Sequence, residues 1–89
     1  MEIKTEVRQY VIENFLSDAP DAYLEYSTPL VTSGLIDSIG MIGLVDFIEG
    51  RFNIEFMPRE IGVHNLNTLD QIEDLIRKKL SKQEIGTGR

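Results

Sequence analysis

Apolar residues recur every three or four positions in three stretches of the chain, and this spacing predicts three amphipathic helices. The stretches cover residues 3 to 16, 38 to 52 and 68 to 80. In the second, Asp46 and Glu49 are expected to face away from the core. The apolar positions are Ile3, Val7, Tyr10, Val11 and Phe15 in the first stretch, Ile42, Leu44, Val45, Ile48 and Phe52 in the second, and Leu69, Ile72, Leu75, Ile76 and Leu80 in the third.

The segments between these helices contain residues that break regular structure. Pro20 and Pro29, with Ser and Asp around them, predict a long irregular connection between the first two helices. Pro58 prevents a continuous helix from the second stretch to the third, and residues 59 to 63 are expected to form a short helical turn. The apolar residues expected to hold the long connection against the core are Tyr23, Leu24, Leu30 and Leu35.

The pattern as a whole predicts an all-α fold, a small bundle of three main helices with a short fourth and a long loop between the first two. A chain of 89 residues is long enough for one domain, which we place at residues 1–80. Thr68 and Gln71, three residues apart, fit a capping box at the start of the last helix. Residues 81–89 have few apolar side chains and are expected to form a flexible tail.

Charge and composition narrow the classes of function. With 15 acidic and 9 basic residues the net charge is −6, which disfavours nucleic acid as a partner. The chain has no cysteine, so disulfides and cysteine metal sites are excluded, and this composition is compatible with a cytoplasmic location. The apolar runs are short and the first ten residues contain several charges, so we expect no membrane insertion and no signal peptide.

The sequence has no recognisable catalytic motif, and we expect no enzymatic activity. His64 is the only histidine, and it lies far along the chain from Ser38, the serine at the start of the second predicted helix. The motif G-x-S-x-G that presents a nucleophilic serine in hydrolases is absent. Glycine-rich phosphate loops and known metal-binding spacings are absent as well, so we expect no metal site.

Ser38 nevertheless lies where a modified serine would be favourable. The first turn of a helix has unpaired N–H groups and the positive end of the helix dipole, and both favour an attached phosphate. Asp37 can cap the helix and leave Ser38 facing solvent. Two interpretations stay open at this point: an ordinary helix start, or a serine presented for covalent modification.

The segment "LVTSGLIDSIGMIGLVDFIEGRFNIEF" resembles the acyl carrier protein family, which includes the peptidyl and D-alanyl carriers. The downstream "NLNTLDQIEDLI" resembles the last helix of that family, and the resemblance extends over residues 3 to 80. The matching positions are Leu30, Gly34, Leu35, Ile36, Asp37, Ser38, Ile39 and Phe52.

The resemblance implies a cofactor and a set of partners. Ser38 would bear 4′-phosphopantetheine, added from coenzyme A by a phosphopantetheinyl transferase, and cargo would be held as a thioester on the arm. An acyl- or aminoacyl-loading ligase and a downstream synthase or transferase would be the other partners of a monomeric carrier in fatty-acid, polyketide or specialised biosynthesis. Four residues around the serine are expected to dock these enzymes, namely Asp37, Ile39, Asp46 and Glu49.

The second predicted helix departs from the family pattern in its glycines. Gly40, Gly43 and Gly50 lie in it, although an interior glycine costs about 1 kcal/mol relative to alanine. Either the fold tolerates them, or Gly40 and Gly43 let a partner approach closely beside Ser38. The Asp-Ser-apolar-Gly run resembles D-alanyl carriers, but their tryptophan before the last helix is missing, so a specialised carrier is expected.

Two other classes remain as alternatives. The same apolar pattern would build an acidic helical interaction module that is never modified. A small hydrolase using Ser38 is disfavoured because the sequence positions no base beside it.

Overall fold

The computed structural model describes residues 2–16 and 24–86, and every regular element in those ranges is helical. The prediction of an all-α bundle with three main helices and a short fourth is confirmed. The four helices are α1 (Ile3–Phe15), α2 (Ser38–Phe52), α3 (Val63–Leu66) and α4 (Leu69–Gly86).

The short fourth helix lies elsewhere than predicted. The sequence indicated one turn at residues 59 to 63, whereas the chain forms a 3₁₀ turn at Pro58–Glu60 and then α3. Pro58 is tolerated at the first position of the 3₁₀ turn because its missing N–H has no partner there. The Glu60 carboxylate closes the turn by accepting the Met57 backbone N–H at 2.8 Å.

Helix α4 begins as predicted and ends later. Gln71 N–H donates to the Thr68 hydroxyl at 3.1 Å, and the Gln71 side-chain oxygen accepts the Thr68 N–H at 3.2 Å, which confirms the capping box. The helix continues to Gly86, beyond the predicted end at residue 80, because Lys, Gln and Glu are good helix formers. The flexibility of the tail stays a prediction, and residues 87–89 lie outside the described residues.

The core forms where α1, α2 and α4 meet the loop that enters α2. Leu24 and Leu30 are buried and Leu35 is half-buried, so the part of the long connection from residue 24 onward is held against the core as predicted. Pro20 and Tyr23 lie outside the described residues. Among the fully buried side chains, the largest are Leu30, Ile36, Leu44, Ile48, Leu66, Leu69, Ile72 and Ile76.

Ile42 contradicts the predicted apolar face of α2. Its side chain is 66% exposed, although the sequence assigned it to the core. Helical geometry explains the error, because residues three and four apart share a face. Ile42 lies three positions after the exposed Ile39 and four before the exposed Asp46, whereas Leu44 and Ile48 define the buried face.

One asparagine fixes the loop that leads into α2. The Asn67 side-chain oxygen, at the joint between α3 and α4, accepts the N–H groups of Val31 and Thr32 at 2.8 and 3.0 Å. Its backbone carbonyl accepts the N–H of Leu30 at 2.6 Å, and the Leu30 carbonyl in turn accepts the Ile36 N–H at 2.9 Å. The direction in which the chain enters α2 is therefore set by contacts with the joint between α3 and α4.

Ion pairs add connections from α1 to the other long helices. Lys4 lies 2.8 Å from the Asp70 carboxylate and 3.3 Å from that of Glu73, both on α4. Arg51 of α2 donates to Glu6 of α1 at 2.8 Å. Within the described ranges, no helix combines the length and the apolar character that crossing a bilayer requires.

Candidate functional site

The start of α2 divides two roles between neighbouring residues. Asp37 is the N-cap in extended conformation, and its Oδ1 accepts the Gly40 N–H at 2.7 Å. Ser38 is the first helical residue and is exposed. The prediction that Asp37 rather than Ser38 caps the helix is confirmed.

The hydroxyl of Ser38 is available for chemistry. It forms no hydrogen bond with any residue that the structure describes, and water can reach it from the open side of the helix. The N–H groups of the first turn and the positive end of the dipole lie beside it. An anionic group attached to this oxygen would therefore be stabilised by the start of α2.

Among the residues that the structure describes, no base forms a hydrogen bond with Ser38. The ring of His64 lies on α3, where its Nε2 is 3.2 Å from the backbone carbonyl of Arg59. Within the described ranges, no cluster of three or more His, Cys, Asp or Glu side chains is arranged to hold a metal ion. The geometry at Ser38 is that of an exposed hydroxyl group at the start of a helix.

The side of α2 that faces water beside Ser38 is mainly apolar in its first turns. Ile39 is 79% exposed and Ile42 is 66% exposed, the two highest values among the exposed large apolar residues described. Asp46 follows on the same side, one turn further along, and is also exposed. The sequence had indicated Ile39 and Asp46 here but had missed Ile42.

The predicted docking residues differ in how free they are. Asp37 is exposed, but its carboxylate is engaged in the cap. Glu49 is half-buried, and its Oε2 accepts the Phe56 backbone N–H at 2.8 Å. The expectation that Glu49 faces away from the protein is therefore wrong, because it ties the end of α2 to the following segment. A docking role for the four residues stays a prediction.

Two of the α2 glycines face α1 inside the protein. A Cβ on Gly40 would lie 2.7 Å from a ring carbon of Phe15, and a Cβ on Gly43 would lie 3.2 Å from the Tyr10 hydroxyl oxygen. These contacts give the two glycines a role within the fold, and the close approach of a partner stays a prediction. Sequence spacing cannot reveal this contact, because it depends on how the two helices cross.

Comparison with known proteins finds D-alanyl carrier proteins among the relatives of this chain. No family model matches the chain. The chain is 35% identical over 72 residues to the D-alanyl carrier protein of Streptococcus sanguinis (strain SK36), and the match covers 81% of this chain and 87% of that protein. It is 33% identical, over the same length and with the same coverage, to the D-alanyl carrier proteins of Streptococcus gordonii and Streptococcus thermophilus.

These relatives define the class: the chain belongs to the family of phosphopantetheine-binding carrier proteins. The relatives compared above are all D-alanyl carrier proteins. The cofactor of this family is 4′-phosphopantetheine, which is held covalently. The chain fits such a group at Ser38, because the hydroxyl is exposed and unbonded among the described residues and the helix start favours a phosphate.

Proposed function

We propose that this protein is an aminoacyl carrier whose 4′-phosphopantetheine arm is attached to the hydroxyl of Ser38. The observation that carries the proposal is the separation of roles at the start of α2. Asp37 accepts the capping hydrogen bond, so the exposed hydroxyl of Ser38 is not needed to hold the helix. A modifying enzyme can reach that oxygen without breaking a native hydrogen bond among the described residues.

The attachment reaction uses the serine oxygen as the nucleophile. The Ser38 Oγ forms a bond to the phosphorus of the phosphopantetheine half of coenzyme A, and the pyrophosphate bond breaks. Adenosine 3′,5′-bisphosphate leaves, and the serine proton passes to a base of the phosphopantetheinyl transferase. The first turn of α2 stabilises the resulting phosphodiester through its N–H groups and dipole. When bound, the group supplies a flexible arm ending in a thiol, which holds cargo as a thioester.

The names of the relatives favour D-alanine as the cargo. A fatty-acid or polyketide role, which the wider family allows, has no support from these relatives. The protein acts as a substrate tether without catalysis of its own, and the arm raises the effective concentration of its cargo at each partner. Its partners are the transferase, an aminoacyl-loading ligase and an enzyme that accepts the cargo.

Partners dock on the side of α2 beside Ser38. Ile39 and Ile42 offer exposed apolar area, and Asp46 adds a negative charge at the edge of it. Asp37 and Glu49 contribute less in this arrangement, because their carboxylates already accept hydrogen bonds within the protein. The docking surface is therefore more apolar than the charge of the whole chain indicates.

The attachment site is tested by intact-mass measurement after incubation of the apo protein with coenzyme A and a broad-specificity transferase. The protein with its original sequence should gain one phosphopantetheine, and the Ser38→Ala variant should gain none. Ser81→Ala is the matched control, since Ser81 is another exposed helical serine, and it should load normally. Loading of Ser38→Ala would assign the arm to another residue. No mass gain in any variant would favour the unmodified interaction module.

The cargo is tested on the modified protein with ATP and a ligase that activates D-alanine. We expect one D-alanyl group per chain, removed by neutral hydroxylamine, which cleaves thioesters. A fatty-acyl ligase with its own substrate serves as the comparison. Equal or faster charging with the fatty acid would contradict the aminoacyl assignment while leaving the attachment site intact.

A further inference from the structure

The start of α2 packs against α1 through a contact that a side chain at position 40 would disturb. A Cβ built on Gly40 would lie 2.7 and 3.0 Å from two ring carbons of Phe15, the last residue of α1, and 3.2 Å from Asp37 Oδ1. Ordinary carbon contacts begin near 3.4 Å, so the first of these would have to lengthen by about 0.7 Å. The ring of Phe15 thus occupies the space that any other residue at position 40 would need.

The Phe15 ring is half-buried and contacts a second aromatic ring of α1. It meets the ring of Tyr10 edge-on, with centroids 6.3 Å apart, and Tyr10 stacks on Phe47 of α2 at 4.4 Å. Two rings of α1 therefore contact α2. The ring of Phe15 lies against Gly40, and the ring of Tyr10 lies against Phe47. A Cβ at position 40 would therefore have to displace the Phe15 ring or the first turn of α2.

That first turn contains Ser38. Gly40 follows it by two residues, and the Gly40 N–H is the donor of the capping bond to Asp37. From this geometry we propose that Phe15 and Gly40 are positioning residues for the modification of Ser38: the ring seated against the glycine fixes the first turn of α2 so that the serine is presented to the transferase. The inference rests on the proposed attachment at Ser38.

Gly50 provides a comparison within the same helix. It is exposed, and a Cβ added there would meet nothing within 4 Å. A general need for glycine in α2, such as flexibility, would make Gly40→Ala and Gly50→Ala behave alike. The contact with Phe15 predicts that only Gly40→Ala impairs loading, since alanine is otherwise the better helix former.

The test measures kcat and KM for loading of the apo protein by the transferase with coenzyme A. A misplacement of 1 Å can cost about 100-fold in rate, so the smaller shift required by Gly40→Ala should lower kcat/KM by roughly tenfold, chiefly in kcat. Gly50→Ala should load as the unmodified sequence does. Phe15→Leu, which removes the outer ring carbons, should restore loading when combined with Gly40→Ala.

Two further measurements separate positioning from general destabilisation. Ile72→Val weakens the buried face of α4 far along the chain from Ser38, and it should load normally at a temperature where it is folded. If Gly40→Ala does not fold, the proposal is tested on the double variant Gly40→Ala with Phe15→Leu. Normal loading of that double variant supports the proposal. Normal loading of folded Gly40→Ala, failure of Phe15→Leu to rescue, or an equal defect in Ile72→Val would overturn it. If the protein with the original sequence does not load at all, the carrier function proposed above is refuted instead.

Discussion

At the scale of single residues, the site depends on a difference between two neighbours. Asp37 and Ser38 are both exposed polar residues of the kind that cap helices, but only the carboxylate of Asp37 accepts a capping hydrogen bond. Evolutionary or engineered change at Ser38 can therefore alter modification without altering the helix start. This separation is what allows loading experiments on Ser38 variants to be interpreted.

The capping roles predict stability effects of different size for substitutions at the two residues. Asp37→Ala removes an N-cap and should lower the free energy of unfolding by about 1 kcal/mol. Ser38→Ala should change it by no more than about 0.5 kcal/mol, as at surface sites without special contacts. Urea denaturation followed by circular dichroism measures both, and Asp37→Asn, which keeps an oxygen acceptor, is the control. A loss in Ser38→Ala as large as that in Asp37→Ala would show that the serine holds the helix.

Single residues also show where sequence reasoning stops. The cap at Asp37 was predictable because N-cap preference is a local property. The hydrogen bond from Phe56 to Glu49 was not, because an acidic residue at that position of an amphipathic helix is expected in water. The bond forms only because the chain turns back beside α2 after Asn53, whose left-handed conformation ends the helix.

At the scale of one element, α2 presents two unlike sides. Its inner side packs Leu44, Ile48 and Phe52 into the core, and its outer side exposes Ile39 and Ile42. Stability and docking can consequently be changed independently on the same helix. Full burial of such a side chain is worth about 1.5 to 3 kcal/mol, and the costs of forming a protein complex leave only part of that as affinity.

The outer side of α2 predicts a docking defect without a folding defect. The double substitution Ile39→Ser and Ile42→Ser should raise KM for the transferase roughly tenfold, because less apolar area is buried in the complex. The melting temperature should stay near that of the unmodified sequence. Val63→Ser on α3 is the matched control, as Val63 is another exposed apolar residue. Unchanged KM in the double variant would place the docking surface elsewhere.

The loop before α2 shows why long connections are hard to predict. The sequence indicated that leucines hold the loop against the core, and the burial of Leu24 and Leu30 agrees. The hydrogen bonds from Val31 and Thr32 to Asn67 were missed, since they join residues 36 and 35 positions apart. Such contacts follow from the packing of α3 and α4 under the loop, and no local pattern records them.

At the scale of the whole molecule, the fold was predictable where the apolar residues follow a single helical period. The apolar repeats at 3 to 16, 38 to 52 and 68 to 80 placed three helices, and the structure has them. The crossing of α1 and α2 was not predictable, because it depends on an aromatic ring fitting against Gly40. The same limit explains the exposed Ile42, which an amphipathic pattern alone assigns to the core.

The stability of the whole bundle is linked to pH through a contact between the 3₁₀ turn and α4. Lys79 Nζ lies 2.6 Å from Glu60 Oε1, and this hydrogen bond holds the pKa of Glu60 below its ordinary value. The hydrogen bond from the Met57 N–H lowers that pKa further. A carboxyl group whose pKa is lower in the folded state stabilises the protein above its unfolded pKa, about 4.3 for Glu. That contribution is lost as the pH falls through the lower, folded pKa.

Glu60→Gln should therefore lower stability near neutral pH and make the acid side of the stability profile shallower. The amide keeps a side-chain oxygen for the Met57 N–H but loses the charge that attracts Lys79. Urea denaturation at several pH values from neutral to about 3, which spans the unfolded pKa of Glu, measures both effects. Glu55→Gln is the control, since Glu55 is an exposed carboxylate in the segment between α2 and the 3₁₀ turn. The stability of Glu60→Gln could instead fall as steeply with acid as that of the original protein. The titration of Glu60 would then play no part in the acid dependence, and other carboxylates would account for it.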